Sequence, residues 1–186
     1  MTLRVLLDAN VLYPAALRSL FIDLGVLGVI EIHWTDQIQD EWTRNLLAHR
    51  SDLDETKLRR TRDLMNRALD GANITGHEPL IQHLELPDPD DRHVLAAAIN
   101  GQVEVVVTQN LRDFPATILA KYSIRAIHPD ELLCTLLQTH TSQLAQALEA
   151  QQARYRNPPV TATELRNMLR QQGVPLFAQA LTELNH

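Results

Sequence analysis

Apolar positions recur along this chain with two alternating periods. Leu3 to Leu7 is a short apolar run broken only by Arg4, which reads as a buried strand. Pro14 then suits the first turn of a helix reaching to about Gly25–Gly28. Leu17, Leu20, Phe21, Leu24 and Leu27 share one face of it. Ile30 to Trp34 is a second strand, and Thr35 or Asp36 caps a helix running to about His49. A third helix spans about Asp54 to Leu69 and stops at Asp70 and Gly71. Residues 72 to 87 form a connector with a short strand at Asn73–Thr75 and punctuation at Pro79 and Pro87. A helix follows over Asp91–Ile99, closed by Asn100 and Gly101. Val103 to Val107 is the cleanest apolar strand. Phe114 and Pro115 open a short helix to Tyr122, and Ile124 to Ile127 is the last strand.

Strands alternating with helices imply a parallel sheet, here of about four to five strands, with helices on both faces. After Pro129 the strand pattern stops. A long helix is expected from His128 to Arg154, then a break at Asn157, Pro158 and Pro159. Thr161 and Glu164 have the spacing of a capping box for a further helix. Gly173 and Pro175 separate that helix from a final one. The expected organisation is an α/β domain over residues 1–128 with an all-helical extension over 129–186.

Composition changes this picture little. The chain has 186 residues, enough for a core without covalent staples. Aromatics are only 4% of it, so the core is aliphatic. A single cysteine, Cys134, rules out an internal disulfide framework and is expected to be buried in the tail helix. No run is long and apolar enough to be a membrane span, and Asp8 and Asn10 interrupt the first apolar run before a signal core forms. A cytoplasmic protein is expected. A net charge of −6 argues against bulk nucleic-acid affinity, though not against a nucleic-acid enzyme with acidic metal ligands.

The candidate chemistry lies in the acids at strand ends. Asp8 follows the first strand, with Asn10 two residues on. In an open α/β sheet the carboxyl ends of the strands border the ligand crevice. Glu41, the run from Asp88 to Asp91, and Asp113 are the other acidic places. Thr108 and Asn110 repeat the polar ending seen at Asp8 and Asn10. Each has a plain structural explanation when taken singly: a helix cap, a solvated helix residue, a turn. Together, carboxylates at converging strand ends repel one another unless a cation neutralises them, and hard oxygen donors suit Mg²⁺ or Mn²⁺.

The ordered motifs Asp8–Asn10, Asp40–Leu46, Asp88–Ala98 and Val107–Pro115 resemble the PIN domain, and most nearly the bacterial VapC-type toxins of toxin–antitoxin pairs. The resemblance covers residues 1 to about 130. The tail is similar to the helical extension of one PIN toxin subgroup. The likeness implies a parallel sheet with the first strand central, and a metal-dependent ribonuclease. It maps the four family acids onto Asp8, Glu41, Asp91 and Asp113. Asp8, Asp91 and Asp113 would hold Mg²⁺ or Mn²⁺, and Glu41 would orient or deprotonate water. Asn10, Thr108 and Asn110 would orient the ligands, with either Asn110 or Asp113 facing the metal. It also implies an RNA substrate, a cognate antitoxin protein and a homodimer.

Arg44, Arg112, Arg59 and Arg60 are candidates for contact with RNA or antitoxin, the last two on a basic helix that also reads as a solvated face. His93 is expected on a helix surface. Two rival readings remain: a non-catalytic PIN-like module that binds a partner, and a phosphatase-like hydrolase. The phosphatase reading lacks a second acid at position 10, which is Asn10. Residues 161–184 carry too few basic residues, Arg166 and Arg170, to read as a helix-turn-helix DNA binder.

Overall fold

A computed structural model describes residues 2–183. Four strands form one parallel sheet: β1 (Leu3–Leu7), β2 (Ile30–His33), β3 (Val105–Val107) and β4 (Arg125–Ile127). Their order is β2-β1-β3-β4, so β1 is internal. The chain first moves outward from β1 to β2, then crosses to the other side of β1 for β3 and β4. The strand order therefore switches between β1 and β3, and the crevice of a doubly wound sheet opens at the carboxyl ends of those two strands. Val5, Leu6 and Leu7 are fully buried, as are Val105, Val106 and Val107. Unbroken apolar runs are what a sheet covered on both faces requires.

The helices are α1 (Ala9–Leu12), α2 (Ala15–Val26), α3 (Asp36–His49), α4 (Glu55–Ala68), α5 (Glu78–Ile81), α6 (Arg92–Asn100), α7 (Ala116–Leu119), α8 (Pro129–Thr139), α9 (Thr141–Arg154), α10 (Ala162–Gln171) and α11 (Pro175–Glu183). Short 3-10 turns over Pro89–Asp91 and Leu111–Asp113 carry acids of the candidate site. Thr35 caps α3 by accepting from Ile38 N (3.1 Å), and Asp54 caps α4 by accepting from Lys57 N (2.9 Å). The capping box forms in full: Glu164 N donates to Thr161 Oγ1, and Thr161 N donates to Glu164 Oε2.

Several elements differ from expectation. The single long helix over 128–154 is two helices, because His140 leaves helical geometry (φ −135°, ψ 41°) and α9 turns back to pack on α2. The short strand at Asn73–Thr75 reduces to one bridge between Trp34 and Asn73. A one-turn helix, α1, begins directly after Asp8. Cys134 is only partly buried, since α8 turns its leucine face inward and Cys134 lies beside that face.

The tail helices pack on the α/β domain through α2. Gln151 is buried in α9 and donates to Ala16 O (2.9 Å). Arg154 pairs with Asp23 and donates to Ser19 Oγ (2.8 Å). Asp130, buried in α8, accepts from Leu176 N (3.0 Å) and Phe177 N (2.8 Å), which fastens the start of α11. Among the described residues, no helix is long and apolar enough to cross a membrane.

Candidate active site

The β1–β3 register determines the first contacts of the site. Leu7 pairs with Val107, so the next residues, Asp8 and Thr108, emerge side by side at the crevice. Asp8 is buried. Its Oδ1 accepts from Ala9 N (2.7 Å), so it does cap α1. Its Oδ2 accepts from Thr108 Oγ1 (2.7 Å) and Asn10 Nδ2 (2.9 Å). Asn10 also donates to Thr108 Oγ1 (3.0 Å), and its Oδ1 accepts from Gln109 N (3.0 Å). Thr108 Oγ1 accepts in turn from Asn110 N (3.1 Å). One polar net thus ties the two strand ends together. Burial raises the Asp8 carboxyl above its ordinary range, the bonds from Thr108 and Ala9 oppose that rise, and the nearby Glu41 adds to it.

A second group lies beside it. Carboxylate oxygens of Asp88, Asp91 and Asp113 all fall within 4.8 Å of one another. Asp88 and Asp91 are three residues apart across a 3-10 turn, which puts both on one face. Asp113 comes from the turn after β3, where Asn110 Nδ2 donates to its Oδ2. Burial pushes Asp91 up to about 7, and the charges of Asp8, Asp88 and Asp113 add to the shift. Asp8 is therefore electrostatically part of the same cluster. Among the described residues, no lysine or arginine forms an ion pair with Asp88, Asp91 or Asp113.

Glu41 reaches the site from α3. Ile38 and Trp42 are fully buried on the core side of that helix, so Glu41 sits at the border of its buried face. Its Oε1 lies 2.8 Å from His93 Nε2, and His93 is buried in α6. The approach is off the direction of a ring hydrogen bond, so the two groups meet by close approach alone. His93 is thus not on a helix surface as expected. The stretch from His93 to Ala98 is buried all round, because α6 packs between β3 and α5.

These groups open onto a cleft of about 1120 Å³. Asp8, Asn10, Glu41 and Asp91 line it, and so do Arg18, His49, Arg50 and Lys57. Arg18 lies 4.4 Å over the Trp42 ring and donates to Leu12 O and Tyr13 O (3.2 Å). Burial lowers its guanidinium to about 10, which leaves it charged at neutral pH. Arg50 is engaged by Asp52. Arg44, Arg59, Arg60 and Arg112 are exposed and do not line this cleft. Lys57 and Thr61 are the α4 residues that turn toward it with Leu58.

The structure brings Asp8, Asn10, Glu41, Asp91, Thr108, Asn110 and Asp113 to one end of the sheet. Sequence reasoning named Asp88 only as part of the acidic run and chose Asp91 from it, put His93 on a helix surface, and missed Gln109 at the edge of the group. The three-residue spacing of Asp88 and Asp91 was a usable signal. The other contacts are tertiary and leave no local trace. The donor set fits a hard divalent cation: it is all oxygen, crowded, and among the described residues without a lysine or arginine paired to it.

A doubly wound parallel sheet with acids gathered at its switch point defines the class, and the sequence comparisons agree. The PIN domain profile matches residues 4–112, and the chain belongs to that family. The profile described as VapC50 C-terminal domain matches residues 129–183. Among curated proteins, "Putative ribonuclease VapC50" of Mycobacterium tuberculosis (strain ATCC 25618 / H37Rv) is 41% identical over 88 residues, 47% of this chain and 52% of that protein. The chain thus spans about half the length of the curated relative it matches. No solved structure matches it.

Proposed function

We propose that this protein is a metal-dependent endoribonuclease and the toxin of a VapBC-type toxin–antitoxin pair, acting in the cytoplasm. The observation that carries this reading is the convergence of Asp8, Asp88, Asp91 and Asp113 at the carboxyl ends of β1 and β3. The name of the curated relative points the same way. Asp8, Asp91 and Asp113 would hold the cation, Mg²⁺ or Mn²⁺, with Asp88 completing the carboxylate group. When bound, the cation neutralises charge that builds on the phosphoryl oxygens.

The chain's own residues do the rest. Glu41, held against His93, accepts a proton from the attacking water. The water oxygen bonds to phosphorus in line with the departing 3′-oxygen. The P–O3′ bond breaks and the 3′-oxygen takes up a proton, which leaves a 3′-hydroxyl and a 5′-phosphate. Thr108 and Asn10 hold the Asp8 carboxylate in one orientation throughout. Arg18 and Lys57 face flanking phosphates of the RNA along the cleft. A cognate antitoxin protein is the inhibitory partner, and self-association as a homodimer belongs to the same reading.

The test is cleavage of a mixed cellular RNA pool by the purified protein with Mg²⁺, with Mn²⁺ and with EDTA, beside Asp8→Asn. Cuts that need the metal and vanish in the variant support the assignment. Equal behaviour of wild type and Asp8→Asn removes it.

A further inference from the structure

Part of the lining of the cleft does not come from the PIN domain. Gln171, Gln172 and Gly173, the turn between α10 and α11, line the same cleft as Asp8, Asn10 and Glu41. The helical extension therefore borders the acids directly.

This placement is built from several contacts. Gln172 Oε1 accepts from Leu17 N (3.0 Å), which is one of the free amides in the first turn of α2. Gln109 lies between Thr108 and Asn110, at the carboxyl end of β3. Its Nε2 donates to Asn10 O (3.2 Å) and to Gln172 O (3.4 Å), so one side-chain amide bridges the catalytic edge and the extension. Gly173 lets the two approach. Its φ is +100°, and a Cβ there would meet Gln109 Oε1 at 2.6 Å. Gln151 and Arg154 seat the extension on α2 independently of this turn.

Gln171 differs from its neighbours. It is exposed, and its side-chain amide has no hydrogen-bond partner among the described residues. It projects from the end of α10 at a turn whose backbone is anchored on both sides. A carboxamide on this anchored turn offers a donor and an acceptor side by side. That pair suits the edge of an unstacked base, which is how single-stranded RNA is read.

We propose that the Gln171–Gly173 turn is the specificity wall of the nuclease cleft, with the Gln171 amide reading a base of single-stranded RNA beside the cut. The inference rests on the ribonuclease reading above. Gln171 acts on substrate choice. Gln109 and Gly173 are positioning residues that hold the turn against Asn10. The extension is thus part of the substrate site as well as a packing partner of α2.

The experiment compares wild type, Asp8→Asn, Gln171→Ala and Gln171→Glu in the full chain. Each cuts the same RNA pool with Mg²⁺, the cut sites are mapped by sequencing, and KM and kcat are measured on one short RNA containing the preferred site. Position 171 is exposed, so folding is undisturbed by either change. Loss of one amide pair is expected to relax preference at one position beside the cut by about tenfold, felt in KM with kcat little altered. Gln171→Glu retains acceptors but loses the donor, so it is expected to shift preference to a different base. If wild type cuts and both variants keep its site preference and KM, the inference is overturned and the nuclease reading stands. If wild type and Asp8→Asn give the same cuts, or neither cuts, both fall together.

Discussion

Asp8 does two jobs with one carboxylate. Oδ1 caps α1, and Oδ2 is held by Thr108 and Asn10 at the mouth of the crevice. Asp8→Asn keeps the shape and removes the charge. It is expected to reduce Mg²⁺-dependent RNA cleavage by about 10²-fold or more, as loss of a preorganised charge in a water-poor site does. A timed cleavage assay reads this directly. Asp91 makes a different prediction, through stability. Its folded-state pKa of about 7 lies above the ordinary 3.8, so between those values the folded protein holds a proton that the unfolded chain has lost. In metal-free protein, stability from this group is therefore present at low pH and declines as pH rises toward 7. Above that, the ionised Asp91 is an uncompensated charge. Asp91→Asn in EDTA at pH 8 is expected to raise Tm by about 2–4 °C, after discounting for solvent at a half-exposed carboxyl. Addition of Mg²⁺ should raise Tm more in wild type than in the variant. Equal metal effects in the two would place the cation elsewhere.

The joins between elements show where the fold holds its site. The start of α11 depends on Asp130 of α8, whose two carboxylate oxygens accept from Leu176 N and Phe177 N. Asp130→Ala leaves the Phe177 amide unmet in a buried place and the Leu176 amide unmet in a part-buried one, and is expected to cost about 1–2 kcal/mol, measured by urea unfolding. Gly173 at the other end of the same junction is strained for any side chain (φ +100°). Gly173→Ala is expected to destabilise by about 1–3 kcal/mol, and to disturb the turn that lines the cleft. The elements themselves were readable from period alone, because burial of a helix face or a strand is a local pattern. The join at His140 was not, since Thr139, His140 and Thr141 carry no glycine or proline and the break comes from α9 docking on α2.

Taken together, the protein is an acidic molecule whose cleft is lined by both carboxylates and cations. Net charge is −6, and of the cations lining the cleft Arg50 is already paired with Asp52. Few phosphates can be neutralised at once. The apparent affinity for single-stranded RNA is expected to fall with salt as a slope of about −1 to −2 on a log–log plot, near −0.7 for each phosphate contacted by Arg18 and Lys57. A much steeper slope, measured by fluorescence anisotropy with Asp8→Asn to prevent cutting, would mean that the exposed Arg59 and Arg60 of α4 also meet the RNA.

The succession of strands and helices, the aliphatic core, the caps at Thr35, Asp54 and Thr161, and the four acidic places all follow from the order of residues, because each depends on near neighbours in the chain. The resemblance of four ordered motifs to the PIN domain was legible for the same reason. Other features depend on contacts between distant parts. Asp8 meets Thr108 only because β1 and β3 pair in one register. His93 meets Glu41 only because α6 and α3 approach the same end of the sheet. Gln172 meets Leu17 across 155 positions, and that contact brings the extension to the cleft. Contacts of this kind depend on how faces of separate elements pack, which no local pattern of polar and apolar residues records.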